Sequence, residues 1–264
     1  MPLVQVDGKD VEYTQSGSGR DLLLLHSLLT DDTVFERVLP ALRGGNRVTC
    51  VNLPGFGASA PLALAGVADY ADHVAAVMDA LRLPAGTDLF GNGFGAFVAL
   101  QVAIRHGERV GNLMVADVVP AFPEPARTPF RTMAQKVRES GMNAVLDTAI
   151  GRMFPPAFQS SFPEVVALRK ERLARVVPEC FAQACLGLAN LDLRPMLPTI
   201  RNRTLVMCGA LDQTTPPALA REVSAAIPGA VYVEIEGSGH CPMLEQPRAL
   251  VAAMQVFVRA AACP

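Results

Sequence analysis

Short apolar runs that alternate with helical patterns constrain the fold of this chain more than any other feature of its sequence. Such nearly continuous runs are typical of parallel strands buried on both faces of a sheet. Between them lies helical periodicity, for example at 67–81, where apolar residues recur at spacings of three and four. The alternation predicts an α/β fold, an open and mostly parallel sheet with helices on both faces. The runs are LLLLH (22–26), VTCVNL (48–53), DLF (88–90), NLMVADVV (112–119), TLVMCG (204–209) and AVYVEIEG (230–237).

Two segments depart from this alternation. The opening LVQVDGKDVEYTQSGSG alternates apolar and polar residues around an Asp-Gly pair, which predicts a β-hairpin. From about 120 to 195 the strand pattern stops, and Pro-rich breaks such as PAFPEPARTP and MFPPAFQSSFP separate helix-like pieces. We therefore expect a core domain formed by 1–119 and 196–264, interrupted by a helical cap at 120–195.

Composition narrows the classes of partner. The chain has 264 residues, 50% of them hydrophobic, with 18% charged residues and a formal net charge of −2. The sequence has no cluster of Lys and Arg of the kind that binds nucleic acid. No apolar stretch approaches the roughly 18 residues that a membrane span needs. The opening residues lack a signal-peptide pattern. We expect a cytoplasmic protein that acts on a small molecule and binds neither nucleic acid nor membrane; its oligomeric state stays open, a homodimer included.

The cysteines and histidines show no pattern of a metal or disulfide site. There are six cysteines and four histidines, without a C-x-x-C pair and without the spacing of metal ligands. Cys50 and Cys208 lie within strand-like runs, where a reduced and buried thiol is usual. We expect free thiols throughout, no metal and no cofactor.

Polar and glycine-rich segments follow the predicted strands. Ligands of open α/β sheets bind beyond the carboxyl ends of the strands, so Asp212 and His240, which follow different strands, are expected at the same edge. Both come after the turn GNGFG, and the order of turn, Asp and His is that of enzymes with a G-x-S-x-G nucleophile turn. The segments are HSLLTDD, PGFGAS, GNGFG, GALDQTTPP and GSGHCPML.

The turn GNGFG at 91–95 has two interpretations. As G-x-G-x-x-G/A, through Gly91, Gly93 and Ala96, it would bring the backbone close to a dinucleotide, with Asp117 at the next strand end for a ribose hydroxyl. As G-x-S-x-G, it has glycine where serine stands. The dinucleotide fingerprint normally sits on the first strand of its fold, whereas two buried strands precede this turn. Context therefore favours the second interpretation.

Together these segments resemble the α/β-hydrolase superfamily, along nearly the whole chain apart from the predicted cap. HSLLTDD is similar to the oxyanion loop, GALDQTTPP to the acid loop and GSGHCPMLEQP to the histidine loop. Within the superfamily, HSLLTD, LDLRPML and ALDQTTPPALAREV resemble enol-lactone hydrolases of aromatic-acid breakdown. GNGFGA resembles the G-N-S-F-G turn of hydrolases of ring-cleavage products.

The resemblance implies catalytic roles for particular residues. His240 would be the general base and Asp212 its orienting carboxylate, with Asp117 as an alternative acid. The backbone N–H groups of Leu28 and Phe94 would hold a developing oxyanion. The nucleophile would be residue 93, but Gly93 has no side chain and can form no acyl-enzyme.

Three hypotheses for function follow. The first is an α/β-hydrolase of a small, largely apolar ester, lactone or activated carbon-carbon bond, whose serine nucleophile has become Gly93 by engineering or by natural divergence. The second is a natural enzyme that uses His240 and Asp212 as a base without a covalent intermediate, as a lyase or a water-activating hydrolase. The third is a pseudoenzyme that binds a small ligand. Candidate substrate-binding residues are Ser27, Phe130, Met133, Phe154 and Phe158.

Overall fold

A computed structural model describes residues 2–260 of the chain, and these contain an eight-stranded sheet. The strands are β1 Leu3–Val6, β2 Lys9–Gly17, β3 Arg20–Leu25, β4 Asn46–Val51, β5 Thr87–Asn92, β6 Val110–Ala116, β7 Thr204–Gly209 and β8 Val231–Ile235. Their order across the sheet is β1-β2-β4-β3-β5-β6-β7-β8. The strand order places the ends of β3, β5, β6, β7 and β8 side by side, which positions the site described below.

The sheet is parallel except at one edge. Strands β3 to β8 pair in parallel, while β1 pairs antiparallel with β2, and β2 pairs antiparallel with β4. The predicted hairpin is confirmed as β1 and β2, joined at Asp7 and Gly8. Both residues have positive φ, 49° and 74°, which is the backbone that an Asp-Gly hairpin turn favours.

Burial explains why the central strands read as unbroken apolar runs. Leu22 to Leu25 are buried, and every residue of β5 and of β7 is buried. Helices cover both faces of these strands, so neither face can carry the alternating polar residues of a half-exposed sheet. The predicted α/β fold, with a mostly parallel sheet and helices around it, is confirmed.

Eleven α-helices lie within the described residues. They are α1 Leu39–Leu42, α2 Val67–Ala80, α3 Phe94–Arg105, α4 Glu124–Ser140, α5 Leu146–Met153, α6 Pro156–Ser161, α7 Pro163–Leu173, α8 Pro178–Asn190, α9 Pro217–Ala226, α10 Pro242–Glu245 and α11 Pro247–Arg259. Short 3₁₀ helices occupy Asp32–Phe35, Gly107–Arg109, Met142–Val145 and Leu197–Thr199. Within residues 2–260 no helix combines the length and the apolar character that crossing a bilayer requires.

Helices α4 to α8 occupy the segment between β6 and β7, where the sequence predicts a helical cap. The expected break at PAFPEPARTP is wrong in part, because α4 begins at Glu124 and continues through Pro129. A proline inside a helix removes one hydrogen bond. The buried apolar stripe of α4, which packs against α8, offsets that loss. Its members are Phe130, Met133, Ala134 and Val137.

Some expectations concern residues outside the described part of the chain. Five cysteines are free and buried: Cys50, Cys180, Cys185, Cys208 and Cys241. The sixth, Cys263, and the ends of the predicted core ranges at 1 and 261–264 lie outside the described part of the chain.

Candidate active site

The turn between β5 and α3 carries residue 93 in a backbone conformation that suits glycine. Gly93 has φ 52° and ψ −119°. Its neighbours are equally restricted, because a Cβ on Gly91 would meet the backbone of Gly95, and one on Gly95 would meet the carbonyl oxygen of Leu25. The turn is therefore a sharp strand-to-helix reversal of the kind that presents a nucleophile in G-x-S-x-G enzymes.

The loop after β7 holds Asp212 rigidly. Its Oδ1 accepts hydrogen bonds from the backbone N–H groups of Thr214 and Thr215, at 2.7 and 3.1 Å. Its Oδ2 accepts one from Oγ1 of Thr215, at 2.5 Å. With its carboxylate fixed by three donors, Asp212 presents Oδ2 in a single direction.

The loop after β8 brings His240 to the same edge of the sheet. Glu245 closes this loop by accepting hydrogen bonds from the N–H groups of Gly239 and Cys241, at 2.8 and 2.9 Å. Asn92 of β5 donates to the carbonyl oxygen of His240 at 3.2 Å, and the His240 N–H donates to the carbonyl oxygen of Met153 at 3.2 Å. The histidine backbone is thereby tied both to the sheet and to α5.

His240 and Asp212 form a buried pair. Nδ1 of the imidazole lies 2.8 Å from Oδ2 of Asp212, with side-chain exposures of 6% and 1%. Burial by itself lowers the pKa of His240, but the charge of Asp212 and the hydrogen bond outweigh it, so the pKa lies above 6.5. Burial by itself raises the pKa of Asp212, and the charge of His240 and the hydrogen bonds reverse that effect. The carboxylate therefore orients the imidazole and leaves Nε2 free.

Asp117, the alternative acid, lies close to this pair but is engaged elsewhere. One carboxylate oxygen each of Asp117 and Asp212 and a ring nitrogen of His240 lie within 4.8 Å of one another. Asp117 accepts hydrogen bonds from Nδ2 of Asn92 at 2.7 Å and from the N–H of Gly209 at 2.9 Å. Burial, with the charge of Asp212, raises its pKa well above the usual range. The geometry thus assigns the direct contact with the imidazole to Asp212.

The free edge of the imidazole faces residue 93. A Cβ built on Gly93 would lie 2.9 Å from Nε2 of His240 and 3.0 Å from Cβ of Ser27, and closer still to Oγ of Ser27. We call this space, bounded by Gly93, His240 and Ser27, the notch. A serine at position 93 would direct its side chain into the notch.

The two residues whose backbone amides are expected to bind an oxyanion line the same pocket. Leu28 and Phe94 both line the pocket that contains Gly93 and His240. Phe94 is the first residue of α3, so its N–H has no partner within the helix and lies at the positive end of the helix dipole. This position suits the stabilisation of negative charge at the notch.

Four of the five predicted substrate-binding residues line one of two cavities. Ser27, Phe130 and Met133 line the pocket at the notch. Phe154 lines an adjacent cavity, which also reaches Asp212 and His240. Phe158 lines neither cavity; its ring stacks on that of Phe154, with the ring centroids 4.7 Å apart.

Arg152 of α5 is a residue of this site that sequence reasoning missed. It lines both cavities beside His240, and its guanidinium lies over the ring of Phe130, 5.0 Å from the centroid. Burial lowers its pKa, and no carboxylate within residues 2–260 forms an ion pair with it. Nothing in the sequence distinguishes it from the solvated arginines of the neighbouring helices. Only the fold reveals a cation beside the imidazole.

The two cavities differ in size. The pocket at the notch has a volume of about 20 Å³, room for a single water molecule. The adjacent cavity has a volume of about 360 Å³. Arg152 and His240 line both cavities, which are therefore adjacent.

The fold and the paired imidazole and carboxylate at the strand ends define an α/β-hydrolase site. A model of the alpha/beta hydrolase family matches residues 22–253, most of the chain. The chain therefore belongs to the α/β-hydrolase family. The fold of its solved relatives agrees with this assignment: the enol-lactonase from Burkholderia xenovorans LB400 superposes with a TM-score of 0.92 at 26% identity, covering 98% of this chain and 100% of that one.

Two curated relatives are similar along most of their length. The 3-oxoadipate enol-lactonase 2 of Acinetobacter baylyi is 29% identical, over 90% of this chain and 88% of its own. The pimeloyl-[acyl-carrier protein] methyl ester esterase of Aeromonas hydrophila subsp. hydrophila is 32% identical, over 94% of this chain and 99% of its own. Together with the family match, these two relatives identify the chain as a hydrolase.

Proposed function

We propose that this protein hydrolyses small carboxylic esters or lactones, with His240 as general base and Asp212 as its orienting carboxylate. One observation carries the proposal: Asp212 holds Nδ1 of the imidazole at 2.8 Å, and Nε2 faces the notch at Gly93. An imidazole held in this way presents a lone pair on Nε2, which can accept a proton from an oxygen nucleophile. The relatives named as an enol-lactonase and a methyl ester esterase support esters and lactones as the substrate class.

The attacking oxygen does not belong to residue 93. Gly93 closes the usual covalent route, whereas the base and the expected oxyanion donors Leu28 and Phe94 remain in place. If the glycine arose by natural divergence, the protein as it stands turns over its substrate. If the nucleophile was removed deliberately, turnover returns only with a serine on the turn.

The site favours a largely apolar substrate that carries one negative charge. Phe130, Met133 and Phe97 supply apolar walls at the notch. The unpaired guanidinium of Arg152 supplies a cation near the reacting carbonyl, suited to a carboxylate on the substrate. We further propose that segment 120–195 acts as a cap over the strand ends, since α4, α5 and α8 all contribute to this pocket.

Hydrolysis of a panel of aryl esters and five-membered lactones tests the proposal. The panel is offered to the protein as it is and to the double variant Gly93→Ser/Ser27→Ala, which places a serine on the turn and clears the notch for it. We expect turnover by at least one of them, and its loss in a His240→Ala background. His73→Ala, on α2 away from the notch, is the matched control and should leave the rate unchanged. If both proteins are folded and inert on every substrate, the proposed function is wrong.

A further inference from the structure

The space that a nucleophile would occupy on the turn is filled by another hydroxyl. A Cβ on Gly93 would overlap Oγ of Ser27, and the same point lies 2.9 Å from Nε2 of His240. Oγ of Ser27 and Nε2 of His240 therefore both lie within 3 Å of the position that the missing Cβ leaves open. The present side-chain position of Ser27 depends on residue 93 being glycine.

The backbone of Ser27 is fixed so that its side chain points into the notch. Its carbonyl oxygen accepts hydrogen bonds from Nδ1 of His26 at 2.8 Å, and from the N–H and Oγ1 of Thr30, each at 3.2 Å. His26 is itself held, because its Nε2 accepts from the N–H of Leu53 at 3.0 Å. Burial lowers the pKa of His26 to about 4, so this imidazole is neutral and keeps its hydrogen bonds at physiological pH.

We propose that Ser27 is the nucleophile of this enzyme, relocated from the strand-to-helix turn to the loop after β3. The proposal rests on the proposed function, because it names the oxygen that His240 activates. Two observations carry it: Oγ of Ser27 and Nε2 of His240 converge on one point, and the side chain that would separate them is absent at residue 93.

The chemistry balances with water as the second substrate. His240 takes the proton of the Ser27 hydroxyl on Nε2 while Oγ forms a bond to the ester carbonyl carbon. The tetrahedral intermediate collapses, the carbon-oxygen bond to the alcohol breaks, and the alcohol leaves with the proton from His240. A water molecule, deprotonated by His240, then attacks the acyl carbon, and the bond from that carbon to Oγ breaks. Oγ takes the proton back from His240, which restores the serine hydroxyl as the acid leaves.

The oxyanion donors fit this relocation. In G-x-S-x-G enzymes one donor is the amide of the residue that follows the nucleophile. Leu28 stands in that relation to Ser27, just as Phe94 does to residue 93, and both line the pocket. Moving the attacking oxygen from one loop to the other therefore leaves one such amide next to it.

Labelling with a fluorophosphonate followed by peptide mapping tests the proposal on the unmodified protein. The expected result is phosphonylation of Ser27 within the peptide that contains HSLLTDD, and its loss in Ser27→Ala. Turnover of the aryl ester should fall by about 10³-fold or more in the same variant. Ser160→Ala, on the exposed surface of α6, is the matched control and should keep both label and rate. Circular dichroism shows that each variant is folded.

The outcomes distinguish the proposal that Ser27 is the nucleophile from the proposed hydrolase function on which it rests. If Ser27→Ala retains turnover, the attacking oxygen is water, and Ser27 is not the nucleophile. If the unmodified protein neither labels nor turns over but Gly93→Ser/Ser27→Ala does, the hydrolase function stands and the relocation is wrong. If none of these proteins labels or turns over, both proposals fail.

Discussion

Arg169 of α7 reaches Asp31 in the loop after β3, with Nη1 3.2 Å from Oδ1, and both side chains are buried. The pair spans 138 residues of sequence and joins the predicted cap to the loop that carries Ser27. Nη2 of Arg169 also donates to Oγ1 of Thr33 at 2.9 Å. This contact couples the position of α7 to the geometry of the candidate active site.

Removing the arginine should destabilise the protein strongly. Arg169→Met leaves the Asp31 carboxylate buried without its principal partner, and loss of one member of a buried pair costs about 3–5 kcal/mol. The free energy of unfolding, measured in urea, checks this value. Arg175→Met, which breaks an exposed pair with Glu171, is the control and should cost less than about 1 kcal/mol. Equal losses of unfolding free energy in the two variants would show that the buried pair contributes no more to stability than the exposed pair.

The protonation of His240 should depend on Asp212. Because the pKa of His240 lies above its ordinary value of 6.5, the imidazole is protonated and inactive as a base at low pH, and kcat/KM should rise as the pH increases through that pKa. Asp212→Asn removes the opposing charge and should lower the pKa, with a rate loss of about 10⁴-fold. NMR titration of the imidazole measures the pKa without requiring turnover. An unchanged pKa in Asp212→Asn would contradict the pairing.

Asp117→Asn discriminates between the two candidate acids. Asp117 contributes charge to His240 but makes its hydrogen bonds to Asn92 and Gly209. We expect a smaller fall in the His240 pKa than Asp212→Asn produces, and a much smaller loss of kcat/KM. If the order of the two variants is reversed in both measurements, Asp117 is the orienting carboxylate.

Arg152 should decide whether an acidic substrate is preferred. Arg152→Met removes the unpaired cation of the pocket, so KM for an ester carrying a carboxylate should rise roughly tenfold to a hundredfold. This factor corresponds to the free energy of one hydrogen bond to a charged group. An uncharged ester of the same size should be unaffected. Steady-state kinetics on the matched pair of esters measures the difference. A parallel rise in KM for both esters would assign Arg152 a packing role instead.

Substitution by alanine should have opposite effects on stability at two helical glycines. In Gly95→Ala the new Cβ would meet the carbonyl oxygen of Leu25, a backbone atom that cannot move without disturbing β3, so we expect severe destabilisation. Gly151 of α5 has open space at its Cβ position, and Gly151→Ala should be neutral or stabilising by about 0.5–1 kcal/mol. Thermal unfolding of both variants compares them directly. Similar melting temperatures would refute the close approach of α3 to β3.

Much of the architecture was predictable because burial leaves a direct record in the sequence. Strands covered on both faces must be apolar throughout, so β3, β5, β6 and β7 are visible as runs such as LLLL and TLVMCG. Their boundaries are less exact, since a strand ends where pairing ends and not where hydrophobicity does. The predicted run at 112–119, for example, corresponds to a strand at Val110–Ala116.

The cap segment was harder to interpret from sequence. Proline is interpreted as a break because it removes a hydrogen bond and its ring crowds the carbonyl of the preceding turn, but packing against a neighbouring helix can offset this cost. Helix α4 therefore passes through Pro129, because its apolar stripe packs on α8, a partner that lies some forty residues further along the chain.

The sequence by itself identified the candidate base, two candidate carboxylates and the empty nucleophile position, because each follows a strand and the carboxyl ends of parallel strands share one edge. Tertiary structure alone decided which side chain enters the space at Gly93 and which charges are left unpaired around it. Ser27, Arg152 and the Arg169–Asp31 pair depend on contacts between distant segments, and such contacts arise from three-dimensional packing that no local pattern encodes.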